Sequence, residues 1–190
     1  MRVIGGGVPE AVSVSEFKRA THFSGGDQDD DLSLAAYLMA AQEVVETASG
    51  RPIGVRSVRF EVPIQSGCTR WWFPVAPVAA LTKIQGLVAG VWGNLDPGAV
   101  HVEFGHDEPQ LVMPAGFLSS GEDAIAVEAT VGADVGAREK ALKQAVILIA
   151  KSWFEAGISV EEFSEAQMSF GARALIRQAR YKRPCIWRAV

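Results

Sequence analysis

Along this chain the apolar positions switch from a helical period to an alternating one and back. From Leu34 they fall at Leu34, Tyr37, Leu38, Ala41, Val45 and Ala48, the i, i+3, i+4, i+7 stripe of a helix with one buried face. Ser49-Gly50-Arg51-Pro52 ends that helix, with glycine just past the last turn and proline beyond it. Upstream, Ser13 followed three residues later by Glu16 is a capping-box spacing, which opens a short helix over Val14-Ser15-Glu16-Phe17-Lys18 that Ser24-Gly25-Gly26 would close. The first dozen residues, with Gly5-Gly6-Gly7 and Pro9, read as a flexible arm.

Between Val55 and Val131 the texture becomes short β-branched and aromatic runs broken by Gly, Pro and Asn. Expected strands are 58–62, 71–73, 81–85, 100–104 and 124–129, and Gly93-Asn94-Leu95-Asp96-Pro97-Gly98 supplies turn chemistry between two of them. The helical period then returns at Ala141, Leu142, Ala145, Leu148, Ile149, Ser152, Trp153 and Ala156, with Asp134 as the expected cap and Gly157 as the stop. A shorter helix over 172–179 leads into the tail Tyr181-Lys182-Arg183-Pro184-Cys185-Ile186-Trp187-Arg188. The expected class is therefore α+β: a helical bundle core, made of an N-terminal helix pair and C-terminal helices, with an antiparallel β insertion. As one domain over 1–190 it divides into N-terminal helices (1–54), the β insertion (55–131), C-terminal helices (132–180) and a basic tail (181–190).

Composition supports a packed protein: 48% of the 190 residues are hydrophobic and 21% charged, which is ordinary for a globular chain long enough to bury its own core. Two cysteines, Cys68 and Cys185, are too few for a secreted disulfide scaffold and have no metal-ligand spacing. No apolar run is long enough to span a bilayer and the N-terminus has no signal-like apolar stretch, so a reducing cytosol is the expected setting. The net charge of −4 is unevenly spread: residues 171–190 carry six bases and no acid, leaving −10 on the remainder. An acidic body with a basic end argues for a tail that docks on something acidic rather than a body that wraps nucleic acid.

Most candidate chemistry weakens on inspection. Asp27, Asp29 and Asp31 mimic the start of a calcium loop, but Leu32 stands where the turn glycine belongs and Leu38 where a bidentate glutamate belongs. Acids in that position instead complement the positive end of the following helix, each by roughly 0.3–1 kcal/mol. Gly5 to Gly7 lack the Lys-Ser/Thr of a phosphate loop. His101 and Glu103 share a strand face that a metal could use, although His106 falls on the opposite parity. No nucleophile elbow surrounds Ser119 or Ser120, Glu161-Glu162 diverge by about 100° on a helix, and three histidines offer few general bases, so no catalytic residue and no cofactor is expected. Trp71-Trp72-Phe73 has only Arg70 nearby and reads as core or subunit contact rather than a base-stacking platform. In the tail, by contrast, Tyr181, Ile186 and Trp187 interleave with the charges, and Trp, Tyr and Arg are the residue types that dominate protein-protein anchors.

The order of these elements, with Val14-Ser15-Glu16-Phe17-Lys18, Asp30-Asp31, Ala40-Ala41-Gln42-Glu43-Val44-Val45-Glu46, Gly50-Arg51-Pro52-Ile53, Pro77-Val78, Ile84, Ile125-Ala126-Val127-Glu128-Ala129, Leu142-Lys143-Gln144-Ala145, Trp153-Phe154 and Arg180-Tyr181, resembles the head-tail connector (adaptor) proteins of tailed bacteriophages and gene transfer agents. The likeness covers nearly the whole chain. It departs at Val135-Gly136 and Phe170-Gly171, where the family usually has proline, and at Phe154, where tyrosine is usual. The resemblance implies a structural subunit with no catalysis. It would be a monomer in isolation and would form a homo-oligomeric ring beneath the portal protein in the particle neck. That ring would join the head to a stopper or tail-completion protein, in a particle assembled in the bacterial cytoplasm, without membrane contact. DNA would pass through the ring without specific binding, and an acidic wall suits a duplex that carries a charge about every 1.7 Å. The portal-binding residues would be Arg173, Arg177, Arg180, Tyr181, Lys182, Arg183, Trp187 and Arg188, in a terminus loose in the free monomer and ordered on docking. The alternative is a nucleic-acid-binding accessory protein using the same basic tail.

Overall fold

The computed structural model describes residues 1–23, 29–64, 67–105, 107–118, 121–132, 136–157 and 168–184. The chain forms two compact units, one from Pro9–Ile53 with Asp134–Arg180, the other from Met1–Val8, Gly54–Ala133 and the chain from Tyr181 on. The first is helical and the second is built of antiparallel sheets, so the class is α+β.

In the helical unit, α1 (Val14–Thr21) starts where the sequence indicates, with the Ser13 hydroxyl accepting from the Glu16 N–H at 3.2 Å. It stops earlier than expected, at His22 in the left-handed region with φ 53°. Helix α2 (Asp29–Ser49) buries Leu34, Leu38, Ala41 and Val45 of the expected stripe, with Tyr37 and Ala48 half-buried against the same core. Asp29, Asp30 and Asp31 lie in its first turn, and Asp31 pairs with Lys18 of α1. Gly50, at φ 66°, closes the helix with its N–H on the Glu46 carbonyl. Gln42, almost fully buried, accepts from the Ala11 N–H at 2.8 Å and donates to the Pro9 carbonyl at 2.9 Å, fixing the segment before α1 along α2. Residues Asp27, Glu161, Glu162 and the expected cap Asp134 lie outside the described residues.

Helix α3 (Ala137–Ala156) begins at Gly136 without a side-chain cap and ends at Gly157, φ 61°. Of the expected stripe it buries Leu142, Ala145, Ile149 and Trp153, half-buries Ala141, Leu148 and Ser152 and leaves Ala156 exposed, while Val146, Ile147 and Ala150 are buried in addition, because both α2 and α4 (Phe170–Ala179) pack on it. Trp153, Phe17, Leu34 and Ile149 are fully enclosed in the shared core, each contributing about 1.5–3 kcal/mol or more by leaving water. Phe154 meets Phe23 and Tyr37 edge-on at 5.5 and 6.1 Å.

The β unit has two sheets. Strands β1 (Arg2–Ile4), β2 (Arg56–Pro63), β4 (Val78–Val88), β5 (Val91–Asn94) and β8 (Ala124–Val131) form one, in the order β1-β2-β8-β4-β5. Strands β3 (Arg70–Trp72), β6 (His101–Glu103) and β7 (Gln110–Val112) form the other, in the order β3-β7-β6. Alternation sets the faces: Val58 opposite Ala129 and Phe60 opposite Val127 point into the core, while Arg59 opposite Glu128 points out. Trp71 and Leu111 of the second sheet complete that core, and Phe60, Trp71 and Phe73 form an aromatic triangle with centroids 4.8–5.7 Å apart.

Three strands were not expected. Residues 2–4 of the presumed flexible arm pair with β2, Arg2 opposite Arg59 and Ile4 opposite Ser57. Val91–Asn94, partly read as turn, is the return strand of a hairpin whose Ala89 and Gly90 both have positive φ, and the turn follows it as a short 3-10 helix over Pro97–Ala99 capped by Asp96, whose carboxylate accepts from the Gly98 N–H at 2.9 Å. Gln110–Val112, bracketed by prolines, pairs on both sides with β3 and β6.

Candidate functional site

The basic C-terminal stretch begins on α4. Ser169 caps the helix, its hydroxyl accepting from the Ala172 N–H at 3.2 Å. Ala172, Ile176 and Ala179 bury one face, which turns Phe170, Arg173, Ala174 and Arg177 outward. Arg173 is partly committed: its guanidinium donates twice to the Met168 carbonyl, at 2.9 and 2.8 Å. At the other end of the helix Arg51, buried to 3% exposure, donates from Nε to the Ala179 carbonyl. A cation on a last-turn carbonyl satisfies an acceptor that the helix leaves unpaired and suits its negative end. In the sequence Arg51 registers only as part of a helix stop.

Arg180 leaves the helix in an extended conformation, φ −62° and ψ 130°. At Tyr181 itself the expectation of a loose terminus does not hold. Tyr181 is buried, with its hydroxyl donating to the Phe73 carbonyl at 2.9 Å inside the β unit. It therefore anchors the segment and offers little surface to a partner. Lys182 and Arg183 are exposed, and the Arg183 guanidinium lies 5.9 Å from the centre of the Trp71 ring. An open groove of about 850 Å³ runs beside it, lined by Val62, Ile64, Cys68, Trp71, Trp72 and Arg183. Cys68 is a free thiol whose Sγ donates to the Arg70 carbonyl at 3.3 Å. Cys185, Trp187 and Arg188 lie outside the described residues.

The other constellations are engaged in structure. His101 and Glu103 do share a face, 3.3 Å apart, but the second carboxylate oxygen of Glu103 accepts from Arg70 at 2.8 Å. Arg70, followed by His101, holds the Glu103 carboxyl below the usual glutamate range. His106 lies outside the described residues, and among those described no group of three or more metal-ligating side chains converges. On the outer face of the larger sheet Arg59 bridges Glu61 and Glu128, both at 2.9 Å, and stacks 5.1 Å over Trp92. Its burial opposes the charge, yet the hydrogen bonds to Glu61 and Glu128 prevail and raise its pKa. Among the described residues no helix is long and apolar enough to cross a membrane.

The fold and the exposed basic stretch define a class: a two-unit α+β protein with antiparallel sheets. Among solved structures this fold is found in gene transfer agent (GTA) particles. The chain is similar to one in the neck of an empty GTA particle computed with C6 symmetry (TM-score 0.71, 23% identity, 97% of each chain covered). It is also similar to one in the neck of a native GTA particle computed with C12 symmetry (TM-score 0.67, 22% identity, 99% and 100% covered). A third, in the virion of a native GTA particle, gives TM-score 0.71 and 24% identity over 98% of each chain. No protein-family model matches the sequence, and no curated protein matches it at a significant level.

Proposed function

We propose that this protein is a structural head-tail connector subunit: identical copies form a ring under the portal protein in the neck of a phage or gene transfer agent particle, join it to a stopper or tail-completion protein, and let DNA pass. The observation that carries the reading is the agreement of fold over essentially the whole chain with chains of gene transfer agent particle necks. The charge division supports it. A body of net −10 outside residues 171–190 repels a passing duplex, while the basic end seeks an acidic partner. The subunit performs no catalysis and assembles in the bacterial cytoplasm.

Within this reading the portal contact belongs to the exposed cations Arg180, Lys182 and Arg183 and to the residues beyond, including Trp187 and Arg188. Because Tyr181 is a buried anchor, the informative truncation removes Cys185–Val190 and leaves Tyr181 in place. That truncation, and separately Arg180→Glu with Lys182→Glu and Arg183→Glu, is expected to leave a folded protein that no longer binds purified portal. Portal binding at full strength by both variants would remove the proposed role of the terminus. A salt titration with duplex DNA tests the nucleic-acid reading: several phosphate contacts would make binding fall steeply with salt, whereas a connector shows little affinity at physiological salt.

A further inference from the structure

We propose that α2 and α4 carry the two unlike halves of a head-to-tail contact between copies of this chain, with Phe170 of one copy seated on the Leu32-Ala36-Met39 stripe of the next. The inference deepens the connector reading and rests on its premise that the chain works as a ring of identical copies. In the helical unit the described residues leave three large apolar side chains exposed: Leu32 at 82%, Met39 at 58% and Phe170 at 87%. Leu32 and Phe170 therefore do not cover each other within one copy. Each sits on a helix face opposite one that is already packed, beside Leu34, Leu38 and Ala41 on α2, and Ala172, Ile176 and Ala179 on α4.

The two faces complement each other in shape and in charge. On α2, Leu32 and Met39 flank the small side chain of Ala36, which makes a socket, and Glu43 follows one turn after Met39. On α4, the Phe170 ring is a knob, Ala174 follows, and Arg177 comes two turns after the knob. Socket to acid, Ala36 to Glu43, is the same seven-residue step as knob to base, Phe170 to Arg177, or about 10.5 Å along either axis. Two parallel helices that seat the ring over Ala36 thus bring Arg177 beside Glu43, an arrangement of knob, hole and flanking ion pair. Glu43 and Arg177 are both exposed, and neither has an ion-pair partner among the described residues. Because the two patches differ, each copy keeps one free after pairing, and repetition of the contact closes a ring or extends a filament. Arg177 then faces the neighbouring copy, and portal contact is left to the residues from Arg180 onward.

The test uses the full chain with Cys68→Ser and Cys185→Ser, into which Ala36→Cys and Ala174→Cys are introduced singly and together. A short bismaleimide is added at high protein concentration, with and without portal rings. The double-cysteine chain is expected to give a ladder of dimer, trimer and larger species. An equal mixture of the two single-cysteine chains is expected to stop at dimer, and each single alone should give none. Phe170→Asp, at a position too exposed to disturb the core, is expected to cut the ladder by about tenfold or more. Glu43→Arg should do the same, with recovery on adding Arg177→Glu. Absence of the ladder both with and without portal, or a ladder indifferent to Phe170→Asp, overturns the proposal. Portal binding without the ladder sinks this contact and leaves the connector reading, whereas a ladder without portal binding sinks the connector reading and leaves the contact.

Discussion

Tyr181 marks the point at which the basic terminus becomes part of the folded protein, and its replacement measures that attachment. The ring is almost fully buried and its hydroxyl donates to the Phe73 carbonyl, a residue that is itself 0% exposed. An aromatic side chain of this kind buries about 150–250 Å², which at about 25 cal/mol per Å² is an upper bound of roughly 4–6 kcal/mol. With partial collapse of the site, Tyr181→Ala is expected to cost about 3–5 kcal/mol, a large part of a typical domain's stability. Tyr181→Phe keeps the ring and removes only the donor, so it should cost about 0.5–1.5 kcal/mol, with the Phe73 carbonyl left short of a partner. Urea unfolding followed by the fluorescence of the chain's tryptophans reads both values, provided the slope with denaturant is unchanged. Deleting from Tyr181 should cost at least the loss seen with alanine. If Tyr181→Ala cost less than about 1 kcal/mol, the terminus would not be held as described and the truncation boundary chosen above would lose its basis.

Two further predictions concern the sheets. Arg70→Ala should let the Glu103 carboxyl titrate upward toward its ordinary range, as followed by carboxyl-carbon NMR. Since its folded pKa is depressed, the stabilisation from this pair is present above the unfolded pKa and fades as pH falls through the folded one, so the variant should be less acid-sensitive than the parent. In the β4-β5 hairpin, Ala89 sits at φ 49° beside Gly90 at φ 81°, and Ala89→Asn should raise stability by about 0.5–1 kcal/mol in thermal unfolding, because asparagine tolerates the left-handed region better. An unchanged or lower melting temperature would contradict that account.

What the sequence determined by itself is whatever depends on neighbours along the chain. The Ser13 cap, the buried stripe of α2 and the glycine stops at Gly50 and Gly157 are local: each is a side chain or backbone group acting within about a turn of itself. The excess of arginine at the C-terminus is also legible, since charge needs no partner to be counted. Tertiary structure alone decided the rest. β1, β5 and β7 are three or four residues long, too short to carry a periodic signal, and they are strands because a neighbour supplies their ladder of hydrogen bonds. Likewise, Arg51 finds the Ala179 carbonyl 128 positions away and Tyr181 finds that of Phe73 at a separation of 108. No local pattern reveals that a residue which looks like surface is a buried anchor, because its partner is chosen by the path of the chain through space.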